Sequence, residues 1–240
     1  MSVSKFIRKQ KFEPGFFGIF VNPFYLARKA LHEAVSSLAA RIEGKTLDVG
    51  CGQKPYMHLF RTAEYVGLEV DTPESRATKK ADVYFDGGVF PFQDGEFDSI
   101  VCNQVLEHVF LPDLCLAEMN RVLKGGGILL LTVPFVWDEH EQPWDYARYS
   151  SFGLKSLLEK HGFEIIVQKK TLADMRAIFQ LINAYLFKVC RTDNRYINFA
   201  ATVLLMSPFT LLGIVLGWSM PSNEDFYLDN VVLARKEGAI

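Results

Sequence analysis

This sequence has no excess of basic charge. Its 26 lysines and arginines stand against 28 aspartates and glutamates, for a formal net charge of −2. That balance argues against a nucleic-acid binder held mainly through phosphate contacts. No Cys-x-x-Cys pair occurs, because Cys51, Cys102, Cys115 and Cys190 are scattered. Such spacing reads as buried reduced thiols, consistent with a reducing cytoplasmic compartment. A cleaved secretory leader is not expected: Lys5, Arg8, Lys9 and Lys11 precede an apolar stretch at 16–21 that is short and cut by Asn22-Pro23. Nor do histidines and carboxylates fall at a recognised metal-ligand spacing, so no metal is expected. The hydrophobic share is 49% over 240 residues. That suffices for a substantial core in one large domain, or one domain with an appendage.

Residues 1–21 are basic and aromatic without a clear period and read as an arm or lid. Asn22 and Pro23 form an N-cap and first-turn pair. They open a helix to about Arg41, with Leu26, Ala30, Leu31, Ala34, Val35 and Leu38 on one face. Strands are then expected at 46–50, 65–69, 82–85, 97–102 and 127–133, with a helix at 112–123 closed by Gly125, Gly126 and Gly127. The connection at 72–81 contains Pro73 and is too short for a full crossover helix. Ser150 or Ser151 caps a helix ending at His161-Gly162, followed by a strand at 163–169. An apolar helix at about 174–190, a long apolar tail and a last strand at 227–235 complete the chain. Strands alternating with helices imply a mostly parallel sheet with right-handed crossovers.

The densest chemistry lies at residues 46–52, T-L-D-V-G-C-G. A β-branched apolar run ending in Asp48 and a G-x-G turn, Gly50 and Gly52, lets a strand turn sharply into a helix while a nucleoside-like ligand approaches the backbone. A dinucleotide fingerprint needs a third glycine, and that slot holds Pro55. Glu69 closes the second strand, where a carboxylate can accept both ribose hydroxyls; Asp71 is the fallback. Asp86 follows the third strand, placed to accept from an adenine amino group. Taken singly, either carboxylate reads equally as a solvated loop residue.

In order, D-V-G-C-G (48–52), Y-V-G-L-E (65–69), the run 85–98, V-L-E-H-V (105–109) and R-V-L-K-G-G (121–126) resemble the successive motifs of class I S-adenosylmethionine-dependent methyltransferases. The resemblance covers about residues 45–169 and points to the type 11-like, small-molecule and ubiquinone-pathway subgroup. It implies a Rossmann-like α/β sheet, mostly parallel with the last strand antiparallel, and helices on both faces. The implied organisation is an N-terminal arm and helix (1–44), a cofactor-binding core (45–170), an apolar helical insertion (171–225) and a final core strand (226–240). S-adenosyl-L-methionine is the implied cofactor. Asp48, Gly50 and Gly52 would border its methionine part, Glu69 its ribose, and Asp86 with Gly87 its adenine, while Asn103 and Gln104 would line the pocket. The family's third glycine is absent, so the turn near Lys54 and Pro55 departs from the pattern.

Methyl transfer is an in-line displacement at a sulfonium carbon, for which alignment matters most and a base helps a hydroxyl acceptor. His140 is the favoured base, with Glu139, Glu141 and Asp145 near it in sequence; His108 is the other. Residues 137–149 are the expected acceptor site: Trp144, Tyr146 and Tyr149 to stack on a sugar or ring, with Asp145 beside them and Arg148 to meet a phosphate or carboxylate. Their pattern, followed by G-L-x-x-L-L, resembles methyltransferases associated with surface-polysaccharide synthesis. The N/D-P-P-Y/F motif of enzymes that methylate nucleic-acid bases is missing after Asn103, so no nucleic-acid partner is expected.

Residues 199–220 carry no charge and are long enough to span a bilayer. Three readings compete: a buried helical pair or homodimer interface broken at Ser207-Pro208, docking of 174–220 on the inner face of the membrane or a shallow re-entrant hairpin, and a single span. A span would strand the last strand on the wrong side. The leading expectation is an O-methyltransferase acting on a sugar or lipid-linked saccharide. A quinone-like acceptor, a cofactor-binding subunit without turnover and, more distantly, an NAD-dependent oxidoreductase are the alternatives.

Overall fold

A computed structural model describes residues 9–238; Lys5 and Arg8 of the expected arm lie outside the described residues. The chain divides into two compact units. The larger holds Val35–Phe135, Glu139–Lys169 and the chain from Asn230 onward. Its sheet has seven strands, β1 (Glu43–Val49), β2 (Arg61–Val70), β3 (Val83–Phe85), β4 (Phe97–Asn103), β5 (Leu123–Pro134), β6 (Phe163–Lys170) and β7 (Asp229–Lys236), in the order β3-β2-β1-β4-β5-β7-β6. The pairs β1/β2, β1/β4, β2/β3 and β4/β5 are parallel, and one strand of the sheet runs antiparallel. The fold is the Rossmann-like α/β sheet expected. Because β1 lies between β2 and β4, the chain winds outward to β3 and then restarts on the other side. That switch point leaves a crevice at the strands' carboxyl ends, where open α/β sheets take ligands.

The central strands form where they do because both their faces are covered. Leu47, Ile100, Cys102, Leu129 and Leu131 are fully buried beside Leu116, Met119 and Val122 of the Pro112–Val122 helix. Each such leucine contributes about 1.5–3 kcal/mol by leaving water. As expected, the connection after β2 holds no full crossover helix but a six-residue one, Pro73–Thr78, closed at its start by reciprocal 3.0 Å hydrogen bonds between Thr72 and Ser75. One local feature differs from expectation. The three glycines do not end a helix in a loop; they lie inside β5. There Phe97 pairs with Leu123 but Ser99 pairs with Ile128, so the glycines form a bulge. A Cβ on Gly127 would sit 2.9 Å from the Asp98 carbonyl oxygen, so only glycine allows this approach of β4.

The smaller unit comprises the described residues to Ala34, Val136–Asp138 and Lys170–Asp229. It is helical, and its interior is partly polar. Gln180 Nε2 donates to the Pro23 carbonyl at 3.1 Å, Asn183 Nδ2 to Thr210 Oγ1 at 2.9 Å, and Ser207 Oγ to the Ile19 carbonyl at 3.0 Å. Gly213 packs on Phe179 with no room for a Cβ, which would lie 2.8 Å from the Phe179 Cβ. The apolar tail does not break at Ser207-Pro208. Arg195–Ser219 is one continuous helical run of 25 residues. A π-helical turn at Thr202–Met206 puts Pro208 at the first turn of the following helix, where its missing N–H costs nothing. Much of that run faces outward: Leu204, Leu212, Val215 and Trp218 are 71%, 45%, 58% and 89% exposed.

Candidate functional site

The glycine turn follows β1 directly. Gly50 has φ +65° and Gly52 φ +50°, a region that favours glycine. Their spatial needs differ. A Cβ on Gly50 would lie 2.4 Å from Val105 Cγ2, so this glycine makes room for the start of the V-L-E-H segment. A Cβ on Gly52 would meet nothing within 4 Å. Open space therefore lies over Gly52, as backbone approach by a ligand requires. Two residues beyond Gly52, Lys54 also takes the left-handed conformation, at φ +52°. Its ammonium pairs with Asp82, whose carboxylate also accepts from the Gly67 amide at 2.7 Å.

Two carboxylates define this crevice. The Gly52 amide donates to Glu69 Oε2 at 3.0 Å, which places Glu69 against the turn. Asp71, the fallback, instead forms a two-pronged surface pair with Arg76 at 2.6 and 2.7 Å. Asp48 is buried and accepts from the Tyr65 hydroxyl at 2.7 Å. Burial pushes its carboxyl up to about 7 despite Tyr65 and Lys54, which favour the charged form. Tyr65, whose own hydroxyl is raised by burial and by Asp48, escaped the sequence reading. Asp86 follows β3, is exposed, and accepts from the Gly88 amide at 2.9 Å around the bend at Gly87. Asn103 and Gln104 end β4 and are tied to β5. Thr132 Oγ1 donates to Asn103 Oδ1 at 2.7 Å, and the Gln104 amide, at φ +55°, donates to the Thr132 carbonyl at 2.9 Å.

Beyond β4 the structure gathers both candidate bases. The imidazoles of His108 and His140 meet edge to face with centroids 4.8 Å apart. His108 Nδ1 lies 2.6 Å from the Trp144 carbonyl oxygen, and His140 Nδ1 lies 3.3 Å from Asp145 Oδ2. His140 faces the Asp145 carboxylate, and its backbone amide also donates to that carboxylate at 2.9 Å. The Arg148 guanidinium forks onto Asp145 at 2.6 and 2.7 Å. Arg148 first, then the His140 amide, hold the Asp145 carboxyl down at about 2 against the opposing effect of burial. Arg148 thus serves the segment's own architecture before any ligand. Glu107 is fully buried in the same cluster, and its carbonyl accepts the Tyr146 and Ala147 amides at 2.9 and 3.2 Å. Its type is visible in V-L-E-H, but nothing local marks it as gathered with two histidines 32 residues apart in sequence.

Around this cluster Trp144 (62% exposed) and Tyr146 (43%) face outward, and Phe110 stacks edge-on against Tyr146 at 5.2 Å. Tyr149 is half-buried, and its hydroxyl donates to the Leu106 carbonyl at 3.4 Å. Burial, then Glu107, push that phenol up to about 12, so it remains a neutral donor.

Residues 47–131 match the family model described as a methyltransferase domain. An uncharacterized methyltransferase of Mycobacterium sp. (strain KMS) is 38% identical over 102 residues, 39% of this chain and 40% of that protein. An uncharacterized protein of Methanocaldococcus jannaschii is 30% identical over 114 residues, 45% and 50% of the two chains. The chain thus spans about half or less of the length of the curated relatives it matches. Among solved structures, the Haemonchus contortus phosphoethanolamine N-methyltransferase 2, in complex with phosphomonomethylethanolamine and S-adenosylhomocysteine, superposes with TM-score 0.56 at 15% identity, covering 92% of this chain and 56% of that one. The cyclase SpnF superposes with TM-score 0.55 at 19% identity, covering 90% and 83%. The fold is that of the Rossmann-like methyltransferases, and the cyclase neighbour shows why the fold leaves the reaction to the site.

Two outcomes are expected. Gly50→Ala should lower stability by about 1–3 kcal/mol in denaturant unfolding, because overpacking adds to an unfavourable φ. Gly52→Ala should cost less, since strain alone acts there. For Asp145, a folded pKa of about 2 against an ordinary 3.8 contributes stability that is present above pH 4 and fades as pH falls toward 2. The stability gap between wild type and Asp145→Asn should therefore narrow over that interval in pH-resolved unfolding.

Proposed function

We propose that this chain is an S-adenosyl-L-methionine-dependent methyltransferase that O-methylates a sugar or lipid-linked saccharide. The cofactor half of the reading is carried by the Gly52 amide held on the Glu69 carboxylate beneath open space. In this reading Glu69 accepts the ribose hydroxyls. Asp48, Gly50 and Gly52 border the methionine part, Asp86 and Gly87 the adenine, and Asn103 and Gln104 the far side of the pocket. Burial leaves Asp48 about half protonated near pH 7, so a cationic ammonium beside it would favour its charged form. The residues supply alignment and shielding. The sulfonium is already a good leaving group, and the hydroxyl acceptor needs its proton removed at one of the paired imidazoles, His140 first and His108 second.

The acceptor reading rests on the rim. Trp144 and Tyr146, backed by Phe110, offer faces suited to a sugar ring, while Tyr149, Asp145 and Arg148 supply polar groups behind them. The lipid part rests on the smaller unit by itself. Only 28% of an 18-residue apolar stretch within Arg195–Ser219 is buried, Leu204 and Trp218 project outward, and Arg195 with Arg191 sits at one end. An apolar face with basic residues at its edge suits an anionic bilayer surface. The same apolarity favours the second reading, a quinone-like acceptor.

Calorimetry should show S-adenosylhomocysteine binding and NAD not binding. Glu69→Ala should weaken the former about ten- to hundredfold, the range expected for lost hydrogen bonds to a charged group. His140→Ala should spare that affinity and depress methyl transfer to a glycan precursor, measured with labelled cofactor. Retained activity would remove His140 from the reaction. In a second measurement, the protein should sediment with anionic phospholipid vesicles, and Leu212→Glu/Val215→Glu should leave it in the supernatant with S-adenosylhomocysteine affinity unchanged. Recovery of wild type in the supernatant would sink the membrane reading.

A further inference from the structure

The cluster at the carboxyl edge of β4 contains more than two paired bases. One ligand atom each from Glu107, His108 and His140 can be chosen so that all three lie within 4.8 Å of one another. Atoms bonded to one tetrahedral zinc ion at ~2.0–2.2 Å lie about 3.3–3.6 Å apart. Side-chain shifts of about an ångström therefore close the set around a single ion.

The surroundings of each residue are those of a ligand. The Trp144 carbonyl can only accept, so His108 carries its proton on Nδ1 and keeps its lone pair on Nε2, which lies 3.8 Å from Glu107 Oε1. Asp145, held ionised by Arg148, likewise takes the Nδ1 proton of His140 and leaves the Nε2 lone pair. An outer carboxylate or carbonyl fixing the tautomer of a histidine is the arrangement that orients and strengthens metal-bound imidazoles. Glu107 has no exposed surface at all. A carboxylate taken wholly out of water is stabilised by a nearby cation. The backbone also holds the three in place, with Glu107 and His108 in the tight turn Leu106–His108 straight after β4 and the 140–147 segment bonded back to Glu107 and Asp145.

We propose that Glu107, His108 and His140 bind one divalent transition-metal ion of the zinc class. Two imidazoles and one carboxylate select such an ion over magnesium or calcium, which prefer all-oxygen shells. Three protein ligands leave a coordination position open. The metal-binding claim stands on the cluster alone; its role rests on the methyl-transfer reading. In that role the open position takes the acceptor hydroxyl and lowers its pKa, so that its proton is lost to water. The oxygen then forms the new C–O bond, the S–CH3 bond breaks, and its electron pair stays on sulfur as S-adenosylhomocysteine. His140 becomes a ligand instead of the base.

The test is titration of chelator-stripped full-length protein with zinc chloride against a chromophoric chelator, with cobalt(II) as a visible-absorption probe. Wild type should take one tight equivalent. Glu107→Gln/His140→Gln should lose at least about tenfold in affinity together with the cobalt bands, and Asp145→Asn should lose about 10–100-fold. Each variant is to be titrated also with S-adenosylhomocysteine, whose unchanged binding reports an intact fold. Absence of a tight equivalent in wild type, or undiminished binding in the double variant, would overturn the proposal. Were the double variant to lose its fold, Asp145→Asn decides alone. If zinc binds while S-adenosylhomocysteine does not, the metal site stands and the cofactor reading falls.

Discussion

The hydrogen bond from the Gly52 amide to the Glu69 carboxylate joins the end of β1 to the end of β2. It exists because the two strands run parallel in register, with Asp48 opposite Gly67 and Val49 opposite Leu68, so both chains emerge at the same edge. A parallel sheet with a switch at β1 brings every loop that follows β1, β2, β4 and β5 to that edge. The turn, its carboxylate, the V-L-E-H segment and the rim after β5 are therefore neighbours by topology. Gly50 links two of them directly, since its missing Cβ admits Val105.

The same edge carries two electrostatic regimes. At Asp48, burial outweighs Tyr65 and Lys54, and the carboxyl is held at about 7. At Asp145, Arg148 outweighs burial, and the carboxyl is held at about 2. The first is a carboxyl poised to lose its proton to water when a cation settles beside it. The second is a permanent anion that fixes an imidazole tautomer. Similar residues take opposite roles because one has a guanidinium forked onto it and the other has a phenol.

The smaller unit follows a different logic. Its polar contacts, Gln180 to Pro23, Asn183 to Thr210 and Ser207 to Ile19, lie inside, while leucine, valine and tryptophan project from the 195–219 run. Internal hydrogen bonds specify one packing of otherwise interchangeable apolar helices. The outward face then remains available to an apolar surface.

Much was legible in the sequence, because apolar period and turn chemistry are local. The strands at 46–50, 97–102 and 163–169, the Ser150 cap and the G-x-G turn all follow from neighbours within a few residues. The glycines at 125–127 misled because glycine ends helices and also permits bulges, and the choice fell to the nearby β4 backbone. Proline 208 misled in the same way: a π turn absorbs it, and packing on the preceding helix is not written locally. The sequence by itself determined the parallel sheet, the glycine turn and the carboxylate that closes β2, since these depend on residue type and spacing. Only the tertiary structure decided that Gly52 rather than Gly50 faces open space, that Arg148 is bound to Asp145, and that Glu107, His108 and His140 converge. Those facts depend on contacts between residues far apart in the chain, which a one-dimensional pattern does not encode.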